Sequence, residues 1–323
     1  VTTTTRTTDL VRPFAPWLLA CERRLREAVD GYVPAVTDPA SSTLSAGGKR
    51  VRPLLLFCSA PRGPEVAEVL VSAATAVELV HMATLVHDDL IDGAALRRGR
   101  PTVAQERGAE AAIRVGDFLF ARAFGELTRC GVPAAVQALA GAALDLSKGE
   151  MDQQRAAFDL ALTEEAYLAR VRRKTASLFS VACRLGAMTG GSGVEAQERL
   201  ATFGEAVGVA FQIFDDILDI VGASADTGKT RGTDLRSGTV TLPVILALQS
   251  DPGLAAEIAR APDEGADVDG LCARLAGHPG TALARERALG FVAAARSALD
   301  GPVDGADVDV LLEIADGVVD RFS

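Results

Sequence analysis

Residues 73–92 read Ala-Ala-Thr-Ala-Val-Glu-Leu-Val-His-Met-Ala-Thr-Leu-Val-His-Asp-Asp-Leu-Ile-Asp. Apolar and small side chains fill most positions up to Val86, and three aspartates close the stretch. A run this long, without Gly or Pro and rich in Ala, Leu and Val, exceeds the length of ordinary strands and reads as a helix. The spacing predicts one apolar helix over 64–92, with Pro64 at its start and Gly93 at its stop. Residues four apart on a helix stand about 5.4 Å apart on one face. Asp88 and Asp92 therefore project together, with Asp89 beside them. Three like charges repel, and the C-terminal end of a helix disfavours anions further. A divalent cation removes both penalties.

The motif recurs. Phe214-Asp215-Asp216-Ile217-Leu218-Asp219 closes a second apolar stretch, predicted as a helix over 194–222. A cationic, Gly-containing segment follows each copy: Leu96-Arg97-Arg98-Gly99, and Gly228-Lys229-Thr230-Arg231-Gly232. A single acidic run is explained as well by a solvated helix face. Two copies, each between an apolar helix and a basic loop, point instead to two similar edges facing one cavity. The second triplet has no His or Cys beside it, so its donors are oxygens. That set selects Mg²⁺ over Zn²⁺. His87 adjoins the first triplet, but neutral imidazole is a poor Mg²⁺ ligand.

Outside these stretches the helical period persists. Further helices are expected at 9–34, 48–60, 101–107, 110–129, 132–153, 163–189, 239–249, 252–260, 266–276, 281–299 and 305–322, with Thr163 capping one start. No strand-like alternation persists. The fold class is all-α: a single-domain helical bundle over 1–323, with residues 1–8 disordered and 250–323 as scaffold helices. Val66–Val86, the most apolar window, holds Glu68, Glu78 and His81, which argues against a transmembrane segment. Val1–Thr8 lacks the apolar core of a signal peptide. Cys21, Cys58, Cys130, Cys183 and Cys272 are odd in number and widely spaced. They suit neither zinc nor a disulfide framework and imply a reducing, cytoplasmic setting.

Lys plus Arg number 33 against 43 Asp plus Glu, a formal charge of −10. That excludes a general nucleic-acid binder, whose affinity needs a basic surface. The cations are nevertheless gathered: Lys49, Arg50 and Arg52 after Gly47-Gly48; Arg97, Arg98 and Arg100; Arg172-Arg173-Lys174-Thr175; Lys229 and Arg231. Each cluster alone is an exposed basic face. Beside acidic metal ligands they suggest a polyanion held by metal and cations together.

These segments resemble the trans-isoprenyl diphosphate synthase (polyprenyl synthetase) family, most closely its bacterial long-chain members. The likeness runs from Gly47 to about Leu248. It rests on Gly47-Gly48-Lys49-Arg50-Val51-Arg52-Pro53, Glu78-Leu79-Val80-His81, both Asp motifs, Gly116-Asp117-Phe118-Leu119, Gly149-Glu150 with Gln153, Lys174-Thr175-Ala176, Phe211-Gln212, and Gly228-Lys229 to Thr241-Leu242-Pro243.

The resemblance implies an all-helical homodimer of the isoprenoid synthase type, with a deep central cavity. It implies three Mg²⁺ bridged by the diphosphate of an allylic substrate. Asp88, Asp92 and Asp215 would be the principal ligands, with Asp89, Asp216 and Asp219 binding or orienting metal waters. Arg97, Lys174, Gln212 and Lys229 would hold the allylic diphosphate, with Thr175 close by. Lys49, Arg52, His81 and Arg98 would hold isopentenyl diphosphate. His81 has a competing reading as a core histidine; its place seven residues before Asp88 favours the substrate role. Many members carry Lys after the Gly that precedes the Thr-x-Pro segment, whereas Gly238 here is followed by Thr239.

One isoprene unit spans roughly 5 Å, close to one helical turn, so residues preceding the first Asp motif would meter the product. Ala83 and Thr84 are small, and Val80 and Val77 are not bulky. The expected product is longer than C15, C30 or more being open to it, and a long product would be released at the membrane periphery. Phe118, Phe120 or Phe124 would close the cavity if another helix supplies its floor, which keeps geranylgeranyl or farnesyl diphosphate as alternative products. A terpene cyclase would need no isopentenyl diphosphate motif. A non-catalytic subunit of a heteromeric synthase would usually lack the Asp motifs.

Overall fold

The computed structural model describes residues 11–63, 67–222 and 231–320. Residues 1–8, Pro64 and Lys229 lie outside them. The helices are α1 (Ala15–Val29), α2 (Pro34–Ser45), α3 (Val51–Cys58), α4 (Ala67–Ile91), α5 (Val103–Arg107), α6 (Ala109–Thr128), α7 (Pro133–Arg155), α8 (Glu164–Val171), α9 (Ser177–Thr189), α10 (Val194–Val221), α11 (Thr233–Ser237), α12 (Leu242–Ser250), α13 (Ala255–Ile258), α14 (Val268–Ala276), α15 (Pro279–Ala298) and α16 (Val308–Asp320). The only sheet among the described residues pairs β1 (Leu96–Arg97) with β2 (Arg100–Pro101). Two compact units emerge, Val1–Ala143 with Leu178–Gly204 and Leu299–Glu313, and Leu144–Ser177 with Glu205–Ala298 and Ile314–Ser323.

In the first unit α4 is the core. Leu70, Ala73, Ala74, Ala76, Val77, Leu79, Val80 and Ala83 are fully buried on all its sides, as an all-round apolar helix requires. It packs most extensively on α6, then on α1 and α3. By length and composition α4 could cross a membrane, yet most of it lies inside the protein. Two buried carboxylates are neutralised by arginines. Glu126 takes Arg24 at 2.8 Å, and Glu78 takes Arg50 at 2.7 Å.

The expected helix 9–34 is instead a 3-10 turn at Arg12–Phe14, then α1, then a break. The missed helix α2 begins at Pro34, whose fixed φ suits a first turn. Its Ser- and Thr-rich sequence reads as a loop. Inside the helix the Thr37 and Thr43 hydroxyls bond back to the Val33 and Pro39 carbonyls.

In the second unit α12 lies along α15, and α8 and α14 pack against α12. Thr163 caps α8, accepting from the Ala166 N–H at 3.2 Å. The expected continuous helix 163–189 is interrupted by a π-helical turn, Arg172–Ala176. Gly149 is what lets this wider turn approach: a Cβ there would stand 2.5 Å from the Lys174 backbone nitrogen. All five cysteines are buried free thiols.

Candidate active site

The first Asp motif ends α4. Asp89 is 5% exposed, and Arg97 grips it with Nε at 2.7 and 2.9 Å and with Nη2 at 2.7 Å. The hairpin makes this contact. Arg98 and Gly99 both have positive φ, 53° and 74°, the signature of a tight two-residue turn that folds β2 back on β1. Arg97, expected on the allylic diphosphate, and Asp89, expected at metal waters, are thus paired with each other. Asp88 is half-buried and Asp92 exposed. The His87 ring occupies the space beside Gly116, where a Cβ would fall 2.0 Å from Nε2. His87 therefore packs on α6, with Phe120 at 6.0 Å between ring centroids.

The Gly47–Pro53 motif divides its arginines. Arg50, with φ 47°, precedes α3 in the left-handed region. Its guanidinium is taken up by Glu22, Glu78 and the Leu44 carbonyl. Arg52 sits 4.6 Å from the Phe179 ring centroid, and its buried Nε has no hydrogen-bond partner. Burial lowers its pKa to about 10. Such an orphaned donor is a place for an anion to fill.

His81 lies in the same field. Burial first, then the charges of Arg52, Arg98, Arg97 and Arg50, hold its pKa well below the usual histidine range. It is neutral at pH 7. His81, Arg50, Arg97, Arg98 and Gly47 line one pocket, with Asp89 at its wall. Lys49, exposed, and Arg52 are not in that lining. On the face preceding Asp88, Val77, Val80 and Ala83 are wholly enclosed, and Thr84 keeps some exposure. Phe118 packs on Tyr32, with centroids 5.5 Å apart.

The second motif ends α10. Asp216 is 4% exposed and accepts from the Tyr167 hydroxyl at 2.6 Å and from Gln212 Nε2 at 2.8 Å. Burial raises its pKa to about 7. Asp219 accepts from the backbone N–H groups of Thr233 at 3.1 Å and Asp234 at 3.0 Å. It thereby fixes the segment that leads into α11. Asp215 is half-buried.

The π-helical turn presents Lys174 to Glu150 at 2.5 Å and Thr175 to Gln212 Oε1 at 2.8 Å. π turns of this kind frequently mark functional sites. Gln212, expected on the diphosphate, has both polar groups engaged within the protein. Thr239, at the position of the missing Lys, pairs with Ser237 at 2.9 Å. Tyr167 escaped the reading of the sequence, although it precedes Lys174 by two helical turns.

Among the described residues no three carboxylate, imidazole or thiolate side chains form a ready-made metal cage. The donor set nevertheless suits Mg²⁺, which takes few carboxylates and completes its shell with water and phosphate oxygens. Asp89, Asp216 and Asp219 bond to protein donors. The aspartates of each Asp motif are oxygen donors of the kind such a shell takes.

Residues 33–273 match the polyprenyl synthetase family. The chain is 42% identical over 246 residues to heptaprenyl diphosphate synthase component 2 of Geobacillus stearothermophilus, covering 76% of this chain and 77% of that one. It is 39% identical over 295 residues to nonaprenyl diphosphate synthase of Mycobacterium tuberculosis, 88% of either chain. The crystal structure of a polyprenyl synthase from Caulobacter crescentus, complexed with calcium and isoprenyl diphosphate, superposes with a TM-score of 0.90 at 33% identity over 98% of each chain. The fold is the all-α isoprenoid synthase fold, and the protein is a transferase. The chain belongs to the polyprenyl synthetase family; it is a prenyltransferase of isoprenoid biosynthesis.

Proposed function

We propose that residues 1–323 form one domain that condenses isopentenyl diphosphate head-to-tail onto an allylic diphosphate, giving an all-trans polyprenyl diphosphate longer than C15. The observation that carries this reading is the pocket that gathers Arg50, Arg97 and Arg98 around His81, on the helix that leads into Asp88 and Asp92, together with the partnerless Nε of Arg52 on α3. Lys49, Arg52, His81 and Arg98 receive isopentenyl diphosphate. Lys174, Lys229 and Arg97 receive the allylic diphosphate, with Thr175 and Gln212 behind them.

Asp88, Asp92 and Asp215 would hold Mg²⁺, three ions per site being the family pattern, with Asp89 and Asp219 orienting the ligands. Bound Mg²⁺ supplies neutralisation of charge on the leaving diphosphate. The cationic side chains do the same from the protein side: as the allylic C–O bond breaks, their charge meets the charge growing on the diphosphate. The isopentenyl double bond attacks the resulting cation, and the departed diphosphate takes the proton lost from the adduct.

Thr84, Ala83 and Val80 bound the growing chain. The long-chain names of the two relatives support a product of C30 or more. The enzyme works in the cytoplasm as a homodimer, and at the membrane periphery when a long product leaves. A second reading comes from the component 2 name of one relative: a partner subunit completes the enzyme.

Incubating the purified chain with isopentenyl diphosphate, Mg²⁺ and C5, C10, C15 or C20 primers, followed by chromatography of the dephosphorylated alcohols, tests both readings. Long-chain alcohols from the chain alone support the first. No elongation from any primer sinks it.

A further inference from the structure

We propose that Tyr167 is a positioning residue for the second Asp motif, acting through Asp216; the inference rests on the prenyl transfer proposed above. A hydrogen-bonded chain runs through the second unit. The Thr175 hydroxyl donates to Gln212 Oε1 at 2.8 Å. Gln212 Nε2 donates to Asp216 Oδ1 at 2.8 Å, and the Tyr167 hydroxyl donates to Oδ2 at 2.6 Å. Both oxygens of a buried carboxylate are therefore fixed, from two different helices. One turn beyond Tyr167, Arg170 lays its guanidinium 5.3 Å from the tyrosine ring centroid and donates to the Val240 carbonyl at 2.7 Å.

Tyr167 itself is fully buried. A phenylalanine would fill the same space without burying a hydroxyl, which is costly unless bonded. What the hydroxyl adds is the bond to Asp216. Asp216 adjoins Asp215, so locking the Asp216 carboxylate locks the end of α10 from which Asp215 projects. Gln212 and Thr175 complete the clamp and tie it to the turn that carries Lys174. Asp216 is thus a hub held by the protein, and Tyr167 governs its orientation. Supporting groups behind metal ligands have measurable effects of this kind.

The test uses the full chain and the Tyr167→Phe variant, with Mg²⁺ titrated calorimetrically into enzyme loaded with inorganic pyrophosphate. Mg²⁺ affinity should fall by about 10- to 100-fold, the usual range for such supporting partners. Turnover at limiting Mg²⁺ should fall with it, while KM for isopentenyl diphosphate holds. In an Asp216→Asn background the same substitution should add nothing, because coupled residues are not additive. Wild-type affinity and kcat in Tyr167→Phe overturn the inference, as does an equal loss in both backgrounds. If Tyr167→Phe does not fold, Gln212→Leu opens the clamp at the other oxygen and should show the same loss; unchanged affinity there also overturns it. Wild-type enzyme that transfers no prenyl group overturns the proposed function and this inference together. Wild-type enzyme that elongates normally while Tyr167→Phe matches it overturns this inference alone.

Discussion

Arg97 closes on Asp89 from across the hairpin turn, placing Nε 2.7 and 2.9 Å from its two carboxylate oxygens. Asp89 is nearly enclosed and Arg97 about one-third exposed, so each depends on the other unequally. Removing the arginine leaves a buried charge without its partner. Arg97→Leu should cost about 1–2 kcal/mol, a hydrogen-bonded ion pair discounted for the solvent that reaches the arginine. The urea midpoint should fall with an unchanged m-value, and prenyl transfer should fall with it. An unaltered midpoint would mean that the pair contributes nothing.

Thr84 and Ala83 differ in a way the sequence does not reveal. Ala83 is fully enclosed and Thr84 is not. Thr84→Phe is expected to shorten the product while leaving stability nearly intact. Ala83→Phe must push into packed neighbours and should lose about 1–3 kcal/mol. Product chromatography and thermal unfolding of both variants check this. An unchanged product from Thr84→Phe would mean that the growing chain does not run along this face.

His81 makes stability depend on pH. Its folded pKa lies well below the usual 6.5, chiefly through burial. Above about pH 6.5 it is neutral folded or unfolded and contributes no slope. Below that, the unfolded chain binds a proton that the folded chain refuses, so stability drops as pH falls. Urea unfolding of wild type and His81→Gln between about pH 5 and 7.5 should show the two curves diverging only on the acid side. Parallel curves would refute the assignment.

The thiols should be unreactive in the native protein. Burial pushes Cys21 and Cys183 up to about 12, and Cys130 and Cys272 to about 11. A chromogenic disulfide reagent at neutral pH should find almost no thiol until denaturant is added, and then five. Rapid labelling of native enzyme would contradict the buried placement.

The helices and both Asp motifs were legible because they are written in local pattern. The run ending in Asp88-Asp89-Leu90-Ile91-Asp92 is helical by composition, and α4 follows it to Ile91. The π turn at Arg172–Ala176 was not legible, because apolar spacing hardly changes across one wide turn and the contact it makes, with Gly149 against the Lys174 backbone, is a tertiary one. Helix α2 was hidden by hydroxyls that find carbonyl partners only once the helix exists. Within the site, charge class was readable and partnership was not. Nothing local says that Asp89 takes Arg97, that Arg50 is held by Glu22 and Glu78, or that Tyr167 reaches Asp216 across 49 positions. Those pairings belong to tertiary contact.

The apolar character of α4 has a consequence for biosynthesis. Before it is covered, this helix is a segment that a lipid bilayer would accept by length and composition. Helices α1 and α3, which pack against it, leave the ribosome first, whereas α6, its largest partner, follows. The nascent chain therefore emerges with part of its shelter already made, and the interval before Ala109–Thr128 appears is when a chaperone would guard it from misinsertion and aggregation.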